Sequence, residues 1–355
     1  MRLSHQDKPM VIAAGFTLLI LLIGTGYTLS TSGTMPLLQP TYLLQQLQIG
    51  SFLGICAAGL MVVILTGHID LSIPATLTAA AMIGTAIGGP MAIPAALVFG
   101  LCVGLVNGAG VAILRVPSMI FTLGMDTVLR GVTVAQTGGF APQDQATPLM
   151  LTLAKDRFLG IPVALFVWAA VSVVVAFLLA RTTFGRALYA IGMRERAAYL
   201  SGIRTRPAII GAFVVSSVCA ALAGVLLAGY SAKAYQGMGN AYLLPAIAAV
   251  VLGGTNVLGG SGRYVGTLIG VVLIVLLNSV LSIMQMPEAL RQIIYGVVIV
   301  AMLLIYGRGD RETPTPQRGH EPDRDRGLAM PRGGRGHDDP RQRPGEFRVV
   351  DEVGD

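Results

Sequence analysis

Residues 161–180 read IPVALFVWAAVSVVVAFLLA, residues 181–206 read RTTFGRALYAIGMRERAAYLSGIRTR, and residues 207–230 read PAIIGAFVVSSVCAALAGVLLAGY. The first and last blocks contain no Asp, Glu, Lys or Arg, whereas the middle block carries six arginines and Glu195. An α-helix rises about 1.5 Å per residue, so about 20 apolar residues span the roughly 30 Å hydrocarbon core of a bilayer. The two apolar blocks therefore read as membrane helices joined by a basic loop at the water interface.

The same ruler, moved outward, marks runs at 10–29, 43–66, 71–89, 91–114, 117–137, 161–180, 207–230, 241–259, 264–284 and 289–306, about ten transmembrane helices in all. The run at 241–259 is short and Gly-rich at its end, with Gly253, Gly254, Gly259 and Gly260, which predicts a short or broken helix. The N-terminal run is too long for the apolar stretch of a signal peptide and reads as a first membrane helix. The fold class is an all-α membrane protein.

Composition agrees: the chain of 355 residues is 54% hydrophobic and 12% charged, with mean hydropathy +0.70, against about a quarter charged in soluble domains. The charge is unevenly spread. Residues 1–306 hold 15 Lys and Arg against 7 Asp and Glu, and residues 307–355 hold 10 against 11. The first segment reads as a transmembrane body. The second, rich in Pro, Gly, Arg and Asp, lacks the apolar surface to form a core and reads as a disordered tail.

With the N-terminus placed inside, twelve basic residues up to Arg311 fall on the cytoplasmic side and only Lys155, Arg157, Lys233 and Arg291 outside. That bias predicts cytoplasmic N- and C-termini. The basic balance thus marks topology and a lipid bilayer as partner, not nucleic acid. A weak internal echo, Leu105-Val106-Asn107 before Val116-Pro117 and Leu276-Leu277-Asn278 before Met286-Pro287, fits an inverted repeat.

Catalytic and cofactor chemistry finds little to stand on. There is no phosphate-binding G-x-x-x-x-G-K-[ST], no H-E-x-x-H and no G-x-S-x-G, and Cys56, Cys102 and Cys219 lack metal-ligand spacing. The expectation is a transporter without its own ATP site, cofactor or metal. Charges inside spans are costly and mark candidate function. Asp126 and Arg130, four residues apart, can pair on one helix face, and Thr122 and Thr133 share that side. These four are the candidates for a polar translocation path. The break Gly67-His68-Ile69-Asp70-Leu71-Ser72 separates two apolar runs, and Asp70 or Ser72 is expected to cap the helix that follows. Between Arg194 and Leu200 the basic loop has helix-forming composition and predicts a short surface helix.

Taken together, GHIDLS (67–72), VPSMIFTLGMDTVLRG (116–131), the loop from Phe184 to Ile203 and AIAAVVLGGTNVLGGSGRYVGTLIG (246–270) resemble bacterial ribose-type permeases, the membrane subunits of ATP-binding-cassette importers for monosaccharides and small polyols. The resemblance runs over about residues 40–306. It implies a homodimer with a central translocation path, a cytoplasmic ATPase subunit that hydrolyses ATP, a sugar-binding protein outside, and a place in the bacterial inner membrane. It also implies that Phe184, Gly185, Arg186, Tyr189, Gly192, Glu195, Ala197, Ala198, Gly202 and Ile203 belong to the ATPase-coupling loop. The chain departs from the family at His68, where glycine is usual, and at Asp126, where methionine is frequent. A stand-alone carrier driven by an ion gradient is the alternative, and Asp126 would be its single mid-membrane carboxylate.

Overall fold

The computed structural model describes residues 8–33, 35–140, 145–287, 289–297 and 300. The expected tail from 307 lies outside them, as do residues 298, 299 and 301–306 of the run 289–306.

Among the described residues eleven α-helices with defined bounds follow in order: α1 Lys8–Ser32, α2 Pro40–Ile64, α3 Ile73–Ile87, α4 Ala92–Ala112, α5 Ser118–Thr137, α6 Pro148–Lys155, α7 Val163–Arg181, α8 Thr183–Leu200, α9 Thr205–Ser231, α10 Leu243–Leu252 and α11 Tyr264–Ile283, and residues 289–297 are helical as well. The described strands are a two-residue pair, β1 Arg157–Phe158 and β2 Ile161–Pro162. The all-α reading holds.

Among the described residues, α1, α2, α4, α7, α9 and α11 are long and apolar enough to cross a membrane. The full set of ten spans is not confirmed among the described residues. Helix α3, with 15 residues, and α10, with 10, reach only about 22 and 15 Å, so the runs 71–89 and 241–259 are not complete crossings by helix alone. Helix α5 has the length, with 20 residues, but Asp126 and Arg130 lower its hydropathy.

At the centre lie α2 and α9, most of whose side chains are buried, while α1 and α7 are mostly exposed and form the periphery. Backbone contact holds the centre together. Gly100, Gly104 and Gly108 repeat every four residues along α4 and put one edge of that helix against Ser217, Val214 and Ile210 of α9, where added β-carbons would collide with backbone atoms. Such small-residue seams let membrane helices pack by dispersion where no hydrophobic gain from burial is available.

At one end of the bundle, α6 lies in the connection between α5 and α7. Pro148 opens it, and the Thr147 hydroxyl accepts a hydrogen bond from the Met150 amide. Gln48 of α2 donates to the Ala154 carbonyl at 2.7 Å, and the Ala146 amide donates to Ala232 at 2.9 Å, so α6 is tied to α2 and to the chain leaving α9. The basic loop lies at the opposite end and is more ordered than expected. The short helix expected between Arg194 and Leu200 is present as the second part of α8, whose first part begins at Thr183, where the Thr182 side chain caps the Gly185 amide at 3.1 Å. Helix α8 kinks at Arg194, whose backbone is extended (φ −167°, ψ 101°).

Candidate functional site

Two breaks in the bundle and the middle of α8 converge at the basic end. Helix α2 stops at Ile64, and residues 65–72 lead to α3. Helix α10 stops at Leu252, and residues 253–263 lead to α11. The Gly260 amide donates to the Leu65 carbonyl at 3.0 Å and so joins the two breaks backbone to backbone. Gly192 of α8 lies in the same place: a β-carbon there would overlap the Leu65 carbonyl oxygen and the Gly260 nitrogen. Gly67, Gly259 and Gly260 take positive φ of 78°, 91° and 76°, conformations that cost other residues energy. The Tyr189 hydroxyl, also on α8, donates to the Gly262 carbonyl at 2.9 Å. Burial pushes its phenol above the ordinary range, and Arg263 works in the opposite direction.

Three distant stretches expected to matter separately, Gly67, Tyr189 with Gly192, and Gly259 with Gly260, are thus one junction. Gly253 and Gly254 stand apart from it at the end of α10, where Gly253 packs on the Gly266 carbonyl of α11.

Above this junction the first break is clasped by side chains. The Ile69 amide donates to Ser118 Oγ (3.3 Å), the Leu71 amide to Thr122 Oγ1 (3.0 Å) and the Ala75 amide to Asp126 Oδ1 (3.1 Å). Ser118, Thr122 and Asp126 are spaced four apart, so one edge of α5 presents three acceptors in a row to chain that has no helical partners of its own. Asp70 gathers donors on its other side. Its Oδ1 accepts from the Ser72 amide (3.0 Å) and hydroxyl (2.6 Å), and its Oδ2 accepts from Ser216 of α9 (2.8 Å). Asn107 of α4 donates to the Ser72 hydroxyl at 2.8 Å. All of these side chains are buried, and Asp70 is wholly so.

The expected cap is therefore corrected. Neither Asp70 nor Ser72 caps α3 with its side chain; Asp70 closes a turn onto Ser72, and the α3 donor at Ala75 is satisfied from another helix by Asp126. Asp126 also pairs with Arg130, through Nε on Oδ2 and Nη2 on Oδ1 at 3.4 Å.

The translocation-path candidates divide accordingly. Thr122 and Asp126 face the break and are buried. Arg130 and Thr133 are partly exposed, and the Thr133 hydroxyl bonds the Leu129 carbonyl of its own helix. Of the echo pair, Asn107 is buried in the clasp, whereas Asn278 is exposed and accepts from Arg291 at 3.2 Å.

On α8, Gly185, Leu188, Ile191 and Ala198 face inward, and Phe184 lies against Gly211 of α9. Arg186, Met193, Arg194, Arg196, Ala197 and Tyr199 are exposed, and so is Gly202 in the turn that follows. Glu195 and Ile203 are half-buried. His68 is half-buried beside α8 and stacks obliquely on Phe213, with ring centroids 6.3 Å apart. Burial pushes its imidazole below the ordinary histidine range, while the Glu195 carboxylate pulls it back up. Ser118 and Ser216 were not singled out from the sequence. The four-residue spacing Ser118, Thr122, Asp126 was the available signal for the first.

A helical membrane body, glycine-jointed breaks and an amphipathic helix on its basic face define the membrane component of a transport system. Residues 42–303 match the family described as branched-chain amino acid transport system / permease component, and the chain belongs to that family. It is 37% identical over 267 residues to the ribose import permease protein RbsC of Escherichia coli K12, covering 73% of this chain and 83% of that one. It is 36% identical over 274 residues to the Bacillus subtilis ribose import permease protein RbsC, covering 76% and 85%. The autoinducer 2 import system permease protein LsrC of Shigella flexneri is 34% identical over 264 residues, covering 71% and 75%. No solved structure matches. These relatives are import-system permeases, and the ion-driven carrier weighed as an alternative is set aside.

Proposed function

We propose that this chain is the membrane-spanning subunit of an ATP-driven importer for a monosaccharide or a chemically related polyol or furanose. The observation that carries the reading is the 37% identity to a ribose import permease across most of the helical body. The family's description names branched-chain amino acids, but the individual relatives import a pentose and a signalling molecule, and an uncharged substrate suits a bundle with few intramembrane charges. Two copies form the translocation path between them. A separate ATPase subunit docks on α8 from the cytoplasm and supplies ATP hydrolysis, since this chain lacks a phosphate-binding loop. A sugar-binding protein delivers substrate from the other side. The chain sits in the bacterial inner membrane with both termini in the cytoplasm, and residues 307–355 form a dispensable cytoplasmic tail.

The junction supports the role given to α8. Gly192 bears on both breaks at once, so a push on α8 reaches α2–α3 and α10–α11 without passing through a flexible linker. The test is uptake of radiolabelled ribose and related sugars by cells carrying or lacking the partner ATPase. Uptake should vanish with the ATPase and survive brief treatment with a protonophore. Uptake that persists without the ATPase and collapses with the protonophore would overturn the reading.

A further inference from the structure

At the basic end, beside the junction but separate from it, a groove of ≈ 600 Å³ opens between the end of α4, the second half of α8 and the start of α9. Arg115, Arg196, Arg204 and Arg206 line it, with Glu195 as its single acid and Tyr199 and Leu200 on one wall. None of the four guanidinium groups has a hydrogen-bond or ion-pair partner among the described residues. They come from three different elements. Arg115 takes a left-handed backbone conformation (φ 58°), uncommon for a residue with a side chain. A planar, permanently charged fork is the donor that best matches phosphate oxygens.

The position of the groove narrows the ligand. Arg115 follows α4 by three residues, and Arg204 and Arg206 flank the first residue of α9, so three of the four charges mark where two membrane helices leave the apolar layer. From there an exposed apolar strip runs back along α4 through Ile113, Leu105, Leu101 and Val98, with Leu114 exposed beside Arg115. Charge above a strip of aliphatic side chains matches a molecule with an anionic head and acyl tails. Anionic lipids concentrate in the cytoplasmic leaflet and favour basic clefts at helix ends.

We propose that this groove binds the phosphate of an anionic phospholipid, with Arg115, Arg204 and Arg206 as its chief donors and the acyl chains lying along α4. The bound phosphate offsets part of the positive charge of the four arginines and holds the α4 and α9 ends beside α8. The ATPase docking proposed above uses α8, whose exposed Arg196 and Tyr199 also border the groove, so the test changes only the three arginines outside α8, and the two assignments can fail independently.

The experiment uses the full chain, purified in detergent with its partner ATPase, and titrates phosphatidylglycerol, phosphatidylcholine or inorganic phosphate while native mass spectrometry counts bound lipid. The wild type should retain phosphatidylglycerol over phosphatidylcholine. The triple variant Arg115→Gln, Arg204→Gln, Arg206→Gln should lose about a hundredfold of that preference. Should that variant fold poorly, the triple Lys replacement keeps the charge and should keep most of the preference. Equal retention of both lipids, or an unchanged preference in the Gln variant, overturns the proposal. Inorganic phosphate competing fully at millimolar concentration would assign the groove to a free anion and overturn it as well. So would a Gln variant that loses the ATPase but retains lipid selectivity, because the groove would then be a protein-docking surface.

Discussion

The two breaks in the bundle touch each other yet are held in different ways. Residues 65–72 and the first turn of α3 are clasped by side chains: Ser118, Thr122 and Asp126 on one side, and Ser216 with the Ser72–Asn107 pair through Asp70 on the other. Residues 253–263 rest mainly on backbone, with the Gly260 amide on Leu65 and the Gly262 carbonyl under Tyr189. Irregular chain inside a membrane protein must have its polar groups satisfied within the protein, and the molecule solves that demand twice. The first solution fixes a break to three helices. The second relies on close approach, so what moves α8 moves it too.

If close approach holds the second break, Gly192→Val should be the most damaging single change. Its side chain meets backbone of both breaks, which cannot rotate away, and a loss of about 3 kcal/mol or more is expected, seen as failure to accumulate in the membrane. If polar satisfaction holds the first break, Asp70→Ala strands the Ser72 and Ser216 donors and should cost about 2–3 kcal/mol, read as a lowered melting temperature in detergent. Thr122→Val keeps the volume but leaves the Leu71 amide unpaired, at about 1–2 kcal/mol by the same assay. An equal response to Thr122→Val and to Thr127→Val, whose exposed hydroxyl bonds only its own helix, would erase the distinction between the clasp and its surroundings.

The smallest effect concerns pH. His68 has a lowered pKa in the folded protein, so the unfolded chain takes up its proton first as pH falls below the ordinary value of 6.5. Stability should therefore fall through that window and be regained on raising the pH, and His68→Gln should flatten this part of the melting-temperature profile. A profile identical to wild type would remove His68 from the account.

The sequence made the helical body legible because apolar length is a one-dimensional signal; α2, α7 and α9 lie within a few residues of their expected bounds. The glycines of the two breaks and of α8 could also be picked out. Their meeting could not, since Leu65, Gly192 and Gly260 are far apart in the chain and bring together backbone, which carries no residue signature. Asp126 shows the same limit. Its spacing to Arg130 announced a pair, but the amide it caps belongs to Ala75, more than fifty residues away. The seam of Gly100, Gly104 and Gly108 was readable as a small-residue repeat, and α6 as Thr147-Pro148 before an apolar stretch. Neither shows in hydropathy alone.

The most direct test of the coupling claim is the ratio of sugar imported to ATP hydrolysed, measured in proteoliposomes holding the complete importer with Gly202→Ala in this chain. Gly202 turns the chain out of α8 at φ 83° with open space around it, so the substitution strains the turn by about 1 kcal/mol without a clash. If α8 carries the push from the ATPase to the two breaks, hydrolysis should continue while import falls several-fold. An unchanged ratio would contradict that role for α8.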